Sequence, residues 1–336
     1  MHVCYNAYRL RERQATKLVN RVAVYGDVML DTWVKCKPSH LSSEYPIPIC
    51  KVEKEICEPG GAANVAASIQ NGYGIDVELI GLVGYDKREE ALRNSLVDLG
   101  VSGLSLIASH AWNTIEKRRF VDELGRQFGL RLDTEDRFDL VNHPNLWCEV
   151  QEQIVKLSKT CDVLVISDYN KGTCTEQLVQ EAIALFHQEG KYTIVNGKPA
   201  HFNWYTGADL VVFNQTEAAV VWRDYFLGCD IDNSFSVLAE TIKNCLDSNP
   251  IGCRAEVLIT LGAAGMVYVN KEGQIYELPA EPANVADVAG AGDVVVSTIA
   301  ANGRCDEGVL SDAAYCAADA ISRYGTSRID AERLVI

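Results

Sequence analysis

Val22-Ala-Val-Tyr-Gly-Asp27 is a short apolar run that stops at a glycine and a carboxylate. It is too brief for a helix and apolar on both alternations, so it reads as a strand buried on both faces. Similar runs return at Val77 to Val83, Val163 to Ser167, Tyr192 to Val195, Leu210 to Phe213 and Val257 to Thr260. Stretches between them, such as Thr175 to Gln188 and Ser234 to Leu246, carry helical spacing. This alternation predicts an α/β fold with a mostly parallel central sheet flanked by helices, and it directs ligands to the carboxyl ends of the strands. Residues 32–55 and 104–133 break the pattern with alternating, β-branched and aromatic character, and Pro46 and Pro48 suit only edges or bends. They predict a small β-sheet lid on a single domain over 21–336, preceded by a polar, helix-permissive extension at 1–20.

The 336 residues are 48% hydrophobic and 23% charged, enough for a sizeable core. A net charge of -15 argues against nucleic acid or an anionic membrane surface as partner. The 12 cysteines are scattered without zinc-ligand spacing, which favours reduced thiols. No apolar run approaches the roughly 20 residues that cross a bilayer, and the first twenty residues lack the apolar centre of a signal peptide. A cytoplasmic location is expected.

Asp287-Val-Ala-Gly-Ala-Gly-Asp293 leads into an apolar helical stretch, Val294 to Ala301. Glycines let backbone amides approach an anion, and a helix N-terminus adds partial positive charge. Gly290, Ala291 and Gly292 thus offer an anion hole, and Asp293 is placed to take a proton from an attacking hydroxyl; a capping role is the simpler alternative. Thr260-Leu-Gly-Ala-Ala-Gly265 is a glycine-rich turn after a strand. Asn214-Gln-Thr-Glu217 offers an amide and a carboxylate for phosphate and magnesium-bound water, or else forms a capping box. Glu58-Pro-Gly-Gly-Ala-Ala-Asn64 opens a helix with Asn64 facing inward, and Asp27 and Asp31 end the first strand with carboxylates that can accept hydrogen bonds from sugar hydroxyls.

In this order, the segments resemble the ribokinase or PfkB family of carbohydrate kinases, from about residue 21 onward. Within it the likeness to heptose-phosphate kinases rests on Gly26 to Asp31, Tyr45 to Val52, Pro59 to Ala66, Arg131 to Asp133, Ser167-Asp-Tyr-Asn-Lys-Gly172 and Gly325-Thr326. Some relatives are fused to an adenylyltransferase, for which this sequence has no length. The resemblance implies a ribokinase-like fold, ATP and Mg2+ as cofactors, and transfer of phosphate to O1 of a heptose 7-phosphate. It implies Asp293 as base, Asp31, Gly60, Gly61 and Asn64 as sugar ligands, with Asp27 and Asp168 beside them. It puts Asn196, Lys198, Asn214, Glu217, Thr260, Gly262, Gly265 and Ala317 around the nucleotide, with Glu217 ordering the metal. A phosphorylated acceptor needs cations, since an unpaired buried dianion is prohibitive; Lys117, Arg118, Arg119, Arg131 and Lys171 are the candidates. A homodimer through the β lid is a further expectation.

The chain also departs from that pattern. Asn196-Gly-Lys198 stands where Asp-Pro-Lys is usual, and Ala289 and Val294 stand where threonines are usual or frequent. Changed charge balance and lost hydroxyl contacts to the phosphates or the turn are expected from these changes, with weaker nucleotide binding or a changed substrate as the effect.

Overall fold

The computed structural model describes residues 19–226, 234–248 and 252–331. Strand β1 (Arg21–Gly26) passes almost directly into β2 (Val28–Leu41), which returns as β3 (Pro48–Gly61). Helix α1 (Ala62–Tyr73) leads to β4 (Asp76–Gly84), and α2 (Lys87–Asp98) leads to β5 (Gly103–Ser109). The hairpin of β6 (Glu116–Val121) and β7 (Gln127–Thr134) follows. Alternation then resumes with α3 (Pro144–Thr160), β8 (Val163–Ser167), α4 (Glu176–Gln188), β9 (Tyr192–Asn196), β10 (Leu210–Asn214), α5 (Gln215–Tyr225), α6 (Phe235–Asp247) and β11 (Glu256–Thr260). Two short strands, β12 (Met266–Val269) and β13 (Ile275–Leu278), precede α7 (Ala291–Asn302) and α8 (Glu307–Ala320).

The large sheet has the order β13-β12-β11-β10-β9-β8-β1-β4-β5 and is parallel except for β12 and β13. Its strands alternate between two cores. Val22 and Val24 of β1 pack with the α1 and α7 side, while Ala23 and Tyr25 pack with the α3 and α4 side. Both sets are fully buried, which is why the strand reads as an unbroken apolar run. From β1 the chain builds outward to β4 and β5 on one side, and from β8 outward to β11 on the other. The crevice between the ends of β1 and β8 is therefore the switch point at which open α/β sheets take ligands.

The small sheet has the order β3-β2-β6-β7. The predicted lid segment 104–133 is corrected here: Leu104 to Ser109 lie in β5, paired in parallel with β4 in the large sheet. That edge strand has mixed burial, which is why its alternation resembled a lid strand. Pro48 is the first residue of β3, an edge strand, where its missing N–H disturbs no ladder. Of the predicted extension 1–20, only Val19 and Asn20 lie within the described residues.

Candidate active site

Asp293 lies in the first turn of α7 and is 5% exposed. Its Oδ2 accepts a hydrogen bond from Asn64 Nδ2 at 3.0 Å, and its Oδ1 accepts one from Tyr169 Oη at 2.6 Å. Asn196 Nδ2 approaches Oδ1 at 3.5 Å. Burial raises the carboxyl above its ordinary value, and the bonds from Asn64 and Tyr169 oppose that rise. Asn64, fully buried in the first turn of α1, also donates to the Ser327 carbonyl at 3.1 Å. Both groups it faces are acceptors, which fixes the orientation of its amide; Asn64 Oδ1 has no partner among the described residues.

Gly290 caps α7 with φ 87°, and a Cβ there would lie 2.8 Å from Asn64 Nδ2, so only glycine lets the turn pass beside the amide. Helix first-turn amides lack intrahelical partners; the Ala291 N–H turns back to the Val288 carbonyl at 3.3 Å, so Gly290 and Gly292 are the predicted anion-hole residues left to present donors beside Asp293. Ala291 and Gly292 border a cleft of about 460 Å³ that also brings together the predicted Thr260, Gly262, Gly265 and Ala317. Its walls are mostly apolar, with Val285, Val288 and Ile321 among them. An aromatic base with a phosphate tail directed at the α7 N-terminus fits such a site.

Asp27 and Asp168 do not face a ligand, contrary to the sequence expectation. Asp27 is fully buried, and its carboxylate accepts the backbone N–H groups of Tyr169 (2.8 Å), Lys171 (3.0 Å) and Thr173 (3.0 Å). Asp168, 1% exposed, accepts from Tyr205 Oη at 2.8 Å and the Asn170 N–H at 2.7 Å, and it pairs with His201 Nδ1 at 2.6 Å. Both carboxylates hold the 168–173 loop against the switch point. Strand-end position suggested ligands, but inward rotation decides otherwise.

Asp31 is also engaged, by Arg119 Nη1 at 2.5 Å and Thr326 Oγ1 at 3.1 Å. A Cβ on Gly60 would stand 2.6 Å from Asp31 Oδ2, and one on Gly61 2.5 Å from the Asp27 carbonyl. The glycine pair is thus required by packing against the Asp31 carboxylate and the Asp27 backbone.

Most of the predicted cations already have partners. Arg119 is held by Asp31 and stacks over Trp33, Arg118 pairs with Glu55 and Arg131 pairs twice with Asp133 at 2.8 Å. Lys171 contacts Glu135 at 2.5 Å. Lys117 alone of the set makes no ion pair among the described residues, and burial lowers its ammonium below the ordinary value, against the pull of Asp31 and Glu135. Asn214 and Glu217 form a complete capping box at the start of α5, and the remaining Glu217 oxygen pairs with Lys198. Neither Glu217 oxygen is idle, so a metal-ordering role requires Lys198 to move.

The substituted positions have different consequences. A carboxylate at 196 would stand about as close to Asp293 as the amide does; asparagine avoids that repulsion. Val294 packs with Cys316, Ala320 and Ile329, away from the cleft, so the expected loss of a phosphate contact does not apply there. Ala289 accepts the Ser327 N–H on its carbonyl at 2.7 Å.

Tyr169, Thr326 and Glu58 were not among the residues predicted for the site. Glu58 accepts the Thr326 N–H at 2.8 Å, fixing the hydroxyl that binds Asp31. Tyr169 and Thr326 stand inside the quoted runs Ser167 to Gly172 and Gly325-Thr326, which were the available signal.

A nucleotide-sized cleft walled by the first turn of α7, with the buried Asp293 carboxylate in that same turn, on a ribokinase-like sheet, defines a class of small-molecule phosphotransferase. The chain belongs to the pfkB family of carbohydrate kinases, whose model matches residues 19–332. It is similar to the bifunctional protein HldE of Gluconobacter oxydans, with 33% identity over 318 residues covering 94% of this chain and 63% of that one. It is also similar to HldE of Caulobacter vibrioides, with 35% identity over 280 residues covering 83% and 54%. The chain therefore spans less than two thirds of the length of these relatives. Among solved structures, Escherichia coli phosphofructokinase-2 in complex with potassium superposes with a TM-score of 0.72 at 19% identity, over 94% of this chain and 97% of that one. Arabidopsis thaliana ribokinase complexed with ribose and ATP gives 0.68 at 16%, over 94% and 97%. At these identities the structural likeness establishes the fold.

Proposed function

We propose that the protein transfers the terminal phosphate of ATP to O1 of D-glycero-D-manno-heptose 7-phosphate, giving the 1,7-bisphosphate for activated-heptose synthesis. The observation that carries the phosphotransfer is the buried Asp293 carboxylate in the same first turn of α7 whose Ala291 and Gly292 wall the cleft. The heptose assignment rests on the likeness to HldE.

In this reading the acceptor hydroxyl gives its proton to Asp293 as its oxygen attacks the terminal phosphorus, and the bond to the bridging oxygen breaks to release ADP. The amides of Gly290 and Gly292, joined by that of Ala291 once it leaves the Val288 carbonyl, stabilise the charge on the transferring group. Thr260, Gly262, Gly265 and Ala317 hold the nucleotide. Asn64 Oδ1, Asp31, Gly60 and Gly61 position the sugar. Mg2+, when bound, neutralises phosphate charge; such ions take one or two carboxylates with the substrate phosphates, and Glu217 is the carboxylate at hand once Lys198 turns to phosphate. Asn196 and Asn214 border that region.

Lys117 is the cation free to meet the acceptor's own phosphate. Purified protein with ATP and Mg2+ is offered heptose 7-phosphate, free heptose, fructose 6-phosphate and ribose, and ADP release is followed. Turnover is expected with heptose 7-phosphate alone. Lys117→Ala is expected to raise its KM by roughly tenfold to a hundredfold, the scale of a hydrogen bond to a charged group, with kcat affected less. Turnover on an unphosphorylated sugar would remove the heptose-phosphate reading and keep the kinase. Silence with every sugar, ATP still binding, would favour a sugar-phosphate or nucleotide binding protein, the reading that Asn196 supports.

The lid also supports a homodimer. Leu41, Tyr45, Ile47, Val52, Leu130 and Leu132 are between 47% and 69% exposed on the small sheet, and apolar side chains gathered on one lid favour a partner of the same kind. Light scattering is expected to give twice the 36.9 kDa chain mass. A monomer at micromolar concentration would exclude it.

A further inference from the structure

Tyr169 occupies a place that the proposed reaction needs for something else. Its hydroxyl lies 2.6 Å from Asp293 Oδ1, within the distance an acceptor hydroxyl must reach to pass its proton to the base. The opposite oxygen is taken by Asn64, and the Asn196 amide at 3.5 Å is at the outer limit of a hydrogen bond. The phenol is therefore the principal partner of Oδ1.

The phenol can only donate there. Burial, followed by the Asp293 charge, pushes its pKa well above the ordinary tyrosine value, so it stays protonated. Two ammonium groups lie over its ring, with Lys198 Nζ 5.0 Å and Lys117 Nζ 5.8 Å from the ring centroid. One of these lysines belongs to the nucleotide side of the proposed site and the other to the acceptor-phosphate side. The backbone of Tyr169 is pinned by Asp27 at 2.8 Å, so a departure of the phenol from Asp293 is a side-chain rotation rather than a loop movement.

Building on the proposed kinase reading, we infer that Tyr169 is a positioning residue whose hydroxyl stands in for the acceptor hydroxyl on Asp293 until the sugar phosphate arrives. While seated it satisfies the buried carboxylate and keeps water from the proton-accepting oxygen, so bound ATP is not hydrolysed. Anionic phosphates reaching Lys117 and Lys198 draw both ammonium groups from the ring and favour its release. The acceptor then takes the vacated lone pair. Protein-held stand-ins of this kind discriminate between water and substrate through a conformational step.

The test is Tyr169→Phe, which keeps the ring and removes the hydroxyl. ADP release is measured with ATP and Mg2+ and no sugar, and again over a concentration series of heptose 7-phosphate. Sugar-free hydrolysis is expected to rise roughly tenfold, the low end for losing a hydrogen bond to a charged group, while the acceptor KM falls because nothing need be displaced. The acid limb of the sugar-free reaction is expected to move to higher pH, since a donor to the ionised form is gone. Sugar-free hydrolysis that stays level or drops would overturn the inference, as would a KM that rises. Thermal denaturation of the variant and a second variant, Tyr169→Leu, guard against a folding defect. Asp293→Asn in both backgrounds separates the two hypotheses: if it leaves turnover unchanged, the base assignment fails, whereas loss of turnover with no rise in Tyr169→Phe sinks only the stand-in.

Discussion

Asp293→Asn is expected to lower turnover by about two to four orders of magnitude, the usual range for loss of a general base. Size and most packing are preserved, so ATP affinity measured by calorimetry should change little. The pH dependence provides a second signature. Only the ionised carboxylate can accept the proton, and burial raises its pKa in the folded chain. Wild-type kcat/KM should therefore fall as pH is lowered through a value above that of an ordinary aspartate, and the asparagine variant should lack that limb. Turnover within threefold of wild type in a clean preparation would rule out Asp293 as the base.

The largest stability effect is expected at Asp27, which the sequence suggested as a sugar ligand. Asp27→Ala leaves three backbone donors, those of Tyr169, Lys171 and Thr173, without their acceptor in the interior. An unsatisfied buried donor costs about 1–3 kcal/mol, and water entering the space recovers part of it, so a loss of about 3 kcal/mol or more is expected. Urea unfolding, read from the midpoint at constant slope, measures it. Burial and the nearby Asp168 raise the Asp27 carboxyl in the folded chain. A raised folded-state pKa adds stability below the unfolded value that is lost as pH rises through the folded one. The deficit of the alanine variant should thus widen as pH is lowered through that window. A loss under 1 kcal/mol would mean that the loop is held by other contacts.

The contrast between these two aspartates marks what could be read from the chain itself. Buried strands announced themselves by being apolar on both alternations, and Val163–Ser167 appears at its predicted limits. The place of Asp293 was legible because a glycine-rich turn before an apolar run marks a helix start, and the carboxylate stands in that first turn. Asp27 was not, because a carboxylate at a strand end reads alike whether it turns to solvent or to backbone amides, and only the path of the 168–173 loop decides. The state of the predicted cations was hidden for a related reason: sequence counts charges, whereas Arg119, Arg131 and Lys171 are balanced by carboxylates brought in by neighbouring strands and loops, and Lys117 is left without an ion pair among the described residues. Glu217 forms the capping box that the sequence offered as one alternative, and its other oxygen goes to Lys198. β12 and β13 escaped notice as four-residue strands without a long apolar run.

The bond between Asn64 and Asp293 joins residues 229 positions apart. Local contacts cannot bring them together, and closing so long a loop carries an entropic cost that grows with separation. During synthesis the first strands and α1 can collapse with their neighbours well before α7 leaves the ribosome. The carboxylate proposed as base and the amide that donates to it can therefore meet only once α7 has joined the earlier elements, and a nascent chain that is already compact still lacks this pair.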